Sequence, residues 1–261
     1  MSGFKQSSAY PWALTGIFSA VHLVITLIPY NVSVGGGEIS FGLVSSPIIG
    51  FLLGPFYGVI SVLLGSTLAL FINPAIAVLG PFTLLATAAG AFVTGAMRTK
   101  DKVIIPILFI ISFGIYLVSP IGLALPSFIW FHLIVFAISV LFVIPKLHNT
   151  LVRPLNLESD IVIWKRFGSI WLFSLIAVTL DQLVGSAIGG WYFILLGSEF
   201  GLILGYYQLV IIVYAIERII GSIFVALIIF ALIEILSKVD YGLPLSEGSE
   251  GGLWELKDEE V

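Results

Sequence analysis

Asp181, Glu217 and Arg218 are the costly residues of this chain, because each stands within a long apolar stretch. An isolated charge at mid-bilayer costs on the order of 3 kcal/mol on insertion scales, so such groups persist when paired or used. Counting inward from the inner edge of its segment puts Asp181 about 21 Å up a helix. Glu217 and Arg218 come near the middle of an unusually long final segment, at a similar depth. Two chemistries follow. A structural ion pair between Asp181 and Arg218 would order two helices. Glu217 and Arg218 lie about 100° apart on a helix, so they cannot serve one partner equally. The surplus carboxylate would bind a cationic group or a proton, as intramembrane acids in transporters commonly do.

Other polar groups extend this candidate site. Glu38 follows Gly35, Gly36 and Gly37 in NVSVGGGEISFG, a loop whose glycines free the backbone for motion and make it a candidate gate. Trp191 and Tyr192 sit beside Gly189 and Gly190, placed either to anchor an interface or to stack on a ring-bearing ligand. The candidate substrate-binding set is Glu38, Asp181, Gln182, Trp191, Tyr192 and Glu217. His22 and His132 read first as hydrogen-bonded packing histidines. No metalloprotease, serine-hydrolase, P-loop or dinucleotide motif is present, and the three histidines are far apart. The sequence thus points away from enzymatic activity, a resident metal or cofactor, and nucleic-acid binding.

The elements that must hold these groups are membrane helices. The chain is 59% hydrophobic and 10% charged, against roughly 25% charged in soluble domains, and its mean hydropathy is +1.15. No Asp, Glu, Lys or Arg occurs from Ile39 to Met97 or from Val103 to Pro145. The runs are continuously apolar rather than alternating, which excludes a strand barrel and leaves helices, whose backbone polar groups are satisfied within the segment. The predicted fold is an all-α, polytopic transmembrane bundle of about eight short spans: residues 12–30, 43–53, 57–72, 79–97, 103–118, 121–144, 167–190 and 202–237. Residues 43–72 are alternatively one kinked helix. Lys5, Arg98, Lys100, Lys102, Lys146, Arg153, Lys165, Arg166, Lys238 and Lys257 then fall on one side, which places both termini inside.

Proline and glycine punctuate this layout. Gly54-Pro55-Phe56 recurs as Gly80-Pro81-Phe82. Proline suits a first helical turn and pushes its predecessor away from helical angles, so Gly54-Pro55 ends one helix and starts the next. Small residues at Ala13, Gly16 and Ala20, and at Gly54, Pro55 and Gly58, suit close helix packing or partner docking. A further set, Ala86, Gly90 and Thr94 with Ala91 and Gly95, suits packing within the fourth span. Residues 145–166 form an interfacial connector, and residues 239–261 an acidic, disordered tail.

The stretch FGLVSSPIIGFLLGPFYGVISVLLGS, followed by GPFTLLATAAGAFVTGAM, resembles the substrate-binding membrane subunits (S components) of energy-coupling factor transporters. The resemblance covers residues 1–98, with an extra hairpin at 99–144 and a two-helix region at 167–238. It implies uptake of a vitamin, vitamin precursor or metal ion across the plasma membrane, with a transmembrane coupling subunit and ATPases as partners. It further implies that the glycine loop gates an outward-facing pocket and that Ala13, Gly16 and Ala20 dock onto the coupling subunit. The alternatives are a proton- or ion-coupled secondary transporter and a structural subunit of a larger membrane complex.

Overall fold

A computed structural model describes residues 9–34, 37–97, 99–155 and 163–236. Helix α1 (Ala9–Thr26) leads into a two-stranded antiparallel hairpin, β1 (Pro29–Val34) and β2 (Gly37–Ser40). There follow α2 (Gly42–Ile72), α3 (Thr83–Ala96), α4 (Ile104–Leu117), α5 (Pro120–Ala124), α6 (Trp130–Leu141) and α7 (Pro145–Val152). The chain closes with α8 (Ile163–Leu195), α9 (Phe200–Val210) and α10 (Val213–Leu236). The architecture is helical, with the small hairpin as an addition that periodicity did not foresee.

Although its helical hydrogen bonding runs on, α2 is two arms folded back on each other. Gly54 adopts φ 79° and ψ 179°, outside the helical region and accessible to glycine, and Pro55 starts the second arm. A Cβ at Gly58 would lie 2.8 Å from the Gly50 Cα, so the arms touch backbone to backbone beside the turn. Further out, one imidazole bridges them: His22 Nδ1 is 2.7 Å from Ser45 Oγ and its Nε2 is 2.8 Å from Ser66 Oγ. In a straight helix those serines would stand roughly 30 Å apart. The hairpin thus resolves the alternative of one kinked helix in favour of two antiparallel arms.

Small residues set the packing around it. Gly65 admits α1, with a Cβ there lying 2.5 Å from the Ser19 carbonyl oxygen. Gly50 admits α3, whose Thr94 Oγ1 donates to the Pro47 carbonyl at 2.6 Å. Gly95 rests on the Gly54-Pro55 turn. Helix α8 packs against α3, α4, α6 and α10 as the central rod of the bundle. One end gathers Trp12, edge-on to Phe56 and Tyr57, with the Gly54-Pro55 turn and the end of α3. The same end holds Arg166, which donates to Glu234 at 2.7 Å and to the Pro154 carbonyl at 2.9 Å. Here α7 turns 96° away from α6, and His148 Nε2 donates to the Met97 carbonyl, 2.7 Å away. The opposite end holds the β-hairpin, Gly80 against Tyr192, and the end of α8.

Polarity is distributed inside out relative to a water-soluble bundle. Ser19, His22, Ser45, Ser61, Ser66, Thr94, His132 and Ser222 are buried, while Ile216, Ile220, Ile223, Phe224, Leu227 and Ile228 of α10 face outward. Four helices, α1, α2, α8 and α10, are long and apolar enough to cross a membrane, or five if the bent pair Pro126–Leu141 and Pro145–Leu155 counts as one span.

Several boundaries differ from expectation. The first helix stops at Thr26, and Pro29 and Tyr30 belong to a strand. Residues 121–144 are not one helix, because Pro126 interrupts them between α5 and α6. The segment at 167–190 extends to Ile163–Leu195, and that at 202–237 breaks after Val210. Arg218 therefore sits in the second turn of α10 rather than mid-helix. Gly35 and Gly36, Arg98 and the tail at 239–261 lie outside the described residues, while Gly37 opens β2.

Candidate functional site in the buried centre

Asp181 is placed near the middle of α8, on the face that meets α3. It is 8% exposed, and its Oδ2 has no hydrogen-bond partner. Opposite it, α3 carries Gly90. A Cβ at Gly90 would lie 3.5 Å from Asp181 Oδ2 and 2.9 Å from Ser46 Oγ on the first arm of α2. The glycine therefore lets both oxygens pack against the α3 backbone, where a side chain would displace the Ser46 hydroxyl. Ser46 is fully buried, and its hydroxyl is also without a partner.

Arg218 approaches from α10. Gly221, one turn below it, packs with its Cβ position 3.7 Å from Leu43, on the same arm of α2 that carries Ser46. Arg218 is 5% exposed and its Nε is unpartnered. The guanidinium is within Coulombic reach of Asp181 and of His132 on α6. The expected Asp181–Arg218 ion pair is nevertheless not closed: no Arg218 nitrogen lies within 4.0 Å of an Asp181 oxygen. The buried guanidinium that does close a pair is Arg166, on Glu234, an acid that the sequence reading passed over.

His132 completes the set. The Tyr214 hydroxyl donates to the Phe128 carbonyl at 2.7 Å, so the 3.3 Å contact between Tyr214 Oη and His132 Nδ1 requires the proton on Nδ1. Nε2 is then a bare acceptor, buried and without a partner. The ring is held by stacking on Tyr214, centroids 4.9 Å apart, with Phe128, Tyr116 and Tyr207 beyond. Three helices and one arm of the α2 hairpin thus present a carboxylate, a guanidinium, an imidazole and a hydroxyl whose buried atoms are left unmatched. Leaving such atoms unmade costs about 1–3 kcal/mol each.

The remaining candidates separate from this centre. Gln182 turns aside and donates to Ser186 Oγ at 3.1 Å. Trp191 and Tyr192 lie about 15 Å further along α8. Trp191 donates to the Ile115 carbonyl at 3.0 Å, and Tyr192 stacks edge-on to Phe82 and Phe193. Glu217 is half-buried beside Arg218. Glu38 belongs to β2, paired in register with Ser33. Ala13, Gly16 and Ala20 are exposed, and no atom stands within 4 Å of a Cβ built at Gly16; α1 packs instead through Thr15, Ser19, His22 and Thr26. By contrast Gly54, Pro55 and Gly58 form the hairpin contact, and Gly90, Ala91 and Gly95 pack within the bundle.

Searches against protein families, curated proteins and solved structures find no match to this chain. What the fold defines is a helical protein with four or five helices long and apolar enough to cross a membrane, and a buried polar cluster beneath an apolar exterior.

Proposed function

We propose that this chain is the membrane-embedded binding subunit of an uptake system for a small solute, a vitamin or vitamin precursor or a metal ion, driven by partner ATPases. The observation that carries the reading is the unmatched buried centre of Ser46, Asp181, Arg218 and His132. A bundle that only needed stability would have closed those groups on one another or replaced them with apolar ones. Among the described residues no three His, Asp or Glu side chains gather as a metal cage, which favours an organic solute. The proposed layout has eight passages: α1, the two arms of α2, α3, α4, α5 with α6, α8, and α9 with α10. Both termini face the cytosol, on the side of the Gly54-Pro55 turn, and the protein resides in the plasma membrane. The open face of Ala13, Gly16 and Ala20 supports docking of a coupling subunit, as the resemblance to S components implies.

Native mass spectrometry of the freshly extracted protein tests this reading. The expected result is a retained small molecule that Asp181→Ala loses, with a membrane coupling subunit and ATPases among the copurifying proteins. Redox subunits in their place, with no retained solute and no uptake of any vitamin by an auxotroph, would refute it. The unpaired Asp181 carboxylate also suits a proton-coupled carrier. Gradient-driven accumulation by proteoliposomes containing this chain alone would favour that alternative.

A further inference from the structure

We infer that the buried centre takes a small zwitterion, with Arg218 holding its carboxylate and Asp181, with Ser46, holding its ammonium group. The inference rests on the reading of the chain as a solute-binding subunit and names the class of solute.

Two buried, opposite charges ordinarily collapse into a direct pair, since each carries a desolvation cost that only the other can offset. Here they are kept apart by more than 4.0 Å while remaining within each other's field. Their positions are held by separate contacts: α8 is fixed to α3 at Gly90, and α10 is fixed to the first arm of α2 at Gly221 and Leu43. A gap of this kind between fixed charges is complementary to a ligand that carries both opposite charges itself. An anion alone would satisfy Arg218 and leave Asp181 exposed to a like charge. A cation alone would do the reverse. A zwitterion matches both, so each protein charge and each ligand charge acquires a partner at once.

The neutral groups agree with this assignment. Ser46 Oγ and Asp181 Oδ2 both pack against Gly90, which places a second acceptor beside the carboxylate for an ammonium group. His132 Nε2, proton-free by the hydrogen bonding of its other nitrogen, is an acceptor that either the ligand ammonium or Arg218 can use. Its fixed tautomer would repel a carboxylate and so directs that group to the guanidinium.

Calorimetric titration of the purified full chain with glycine, β-alanine, γ-aminobutyrate and ε-aminocaproate, and with butyrate and butylamine as single-charge controls, tests the assignment. At least one zwitterion should bind at least tenfold more tightly than both controls. Asp181→Asn should bring that zwitterion to the level of butyrate, and Arg218→Gln to the level of butylamine. If either variant fails to fold, Ser46→Ala decides: it should weaken the zwitterion and leave butyrate unchanged. Controls that bind as well as every zwitterion, or a preference that survives these substitutions, would overturn the inference. Uptake of a neutral or singly charged vitamin without zwitterion selectivity would also overturn it, while leaving the uptake reading standing.

Discussion

Gly50→Ala probes the close contact between the first arm of α2 and α3. A Cβ at that position would lie 1.9 Å from the Ala91 carbonyl oxygen and 2.6 Å from Thr94 Oγ1, where ordinary contact begins at 3.4 Å. Backbone cannot rotate away as a side chain can, so α3 must withdraw by about 1.5 Å. That displacement stretches the Thr94 Oγ1 to Pro47 carbonyl bond, now 2.6 Å, beyond hydrogen-bonding range. Overpacking costs about 1–3 kcal/mol, and the lost bond about 1 kcal/mol. Against these stands a gain of about 1 kcal/mol from replacing glycine in a helix. The net expectation is a loss of about 1–3 kcal/mol, seen as a lower midpoint when the detergent-purified protein is unfolded by heat. Gly16→Ala is the internal control, because its Cβ meets nothing: it should be neutral or stabilising by up to about 1 kcal/mol. Equal midpoints for Gly50→Ala and the unaltered protein, or for the two variants, would refute the packing described above.

Gly54→Ala places a side chain at φ 79° and ψ 179° and should cost about 1–3 kcal/mol in the same unfolding assay. His22→Phe removes the bridge between the arms and strands the Ser66 hydroxyl; a loss of about 1–3 kcal/mol is expected, and restoration by the further change Ser66→Ala would confirm the cause. His148, on α7, has its affinity for protons depressed mainly by burial, with Lys102 adding to the effect. Its folded pKa lies below the unfolded value of about 6.5, so its contribution is present in full above that value and is lost as pH falls through the folded pKa. Stability should therefore decline in mild acid, and His148→Gln should flatten that decline; an unchanged pH profile would count against the burial of His148.

The helical class of this fold was legible because it depends on bulk properties: two long windows without charge can lie in lipid only as helices. The turn at Gly54-Pro55 was legible for a local reason, since the pair forbids a straight continuation. Breaks that depend on tertiary contact were less so. Pro126 interrupts residues 121–144 in the same manner, but inside an apolar run it carries no signal of whether the chain kinks or stops. The division of α9 from α10 at Ile211 and Ile212 has no punctuating residue at all; Trp130, donating to the Ile211 carbonyl at 2.9 Å, occupies the backbone there. Among candidate site residues, Asp181 and Arg218 stood out by charge. Ser46 and Gly90 did not, because a serine and a glycine in a membrane helix are ordinary packing residues until a neighbouring helix brings a carboxylate onto them. The small-residue stripe of α1 packs on no helix of this chain: periodicity shows that a face can pack closely, and only a partner decides whether it does.

Two polar clusters in one apolar bundle allow a distinction that residue type alone does not. Around His22 every ring nitrogen has a serine, and Ser19 and Ser61 close on each other and on the Thr15 carbonyl. That cluster ties α1 to both arms of α2 and leaves none of these groups open. At the centre of Ser46, Asp181, Arg218 and His132, by contrast, each member has a buried atom left over. Gly90 brings the α3 backbone against both oxygens without giving either a partner, so close packing there leaves the two groups unmatched. Within hydrocarbon, where water cannot supply the missing bonds, an arrangement that holds opposite charges apart is stable only to the extent that something else joins them. The closed cluster ties helices together, whereas the open one keeps buried polar atoms without partners.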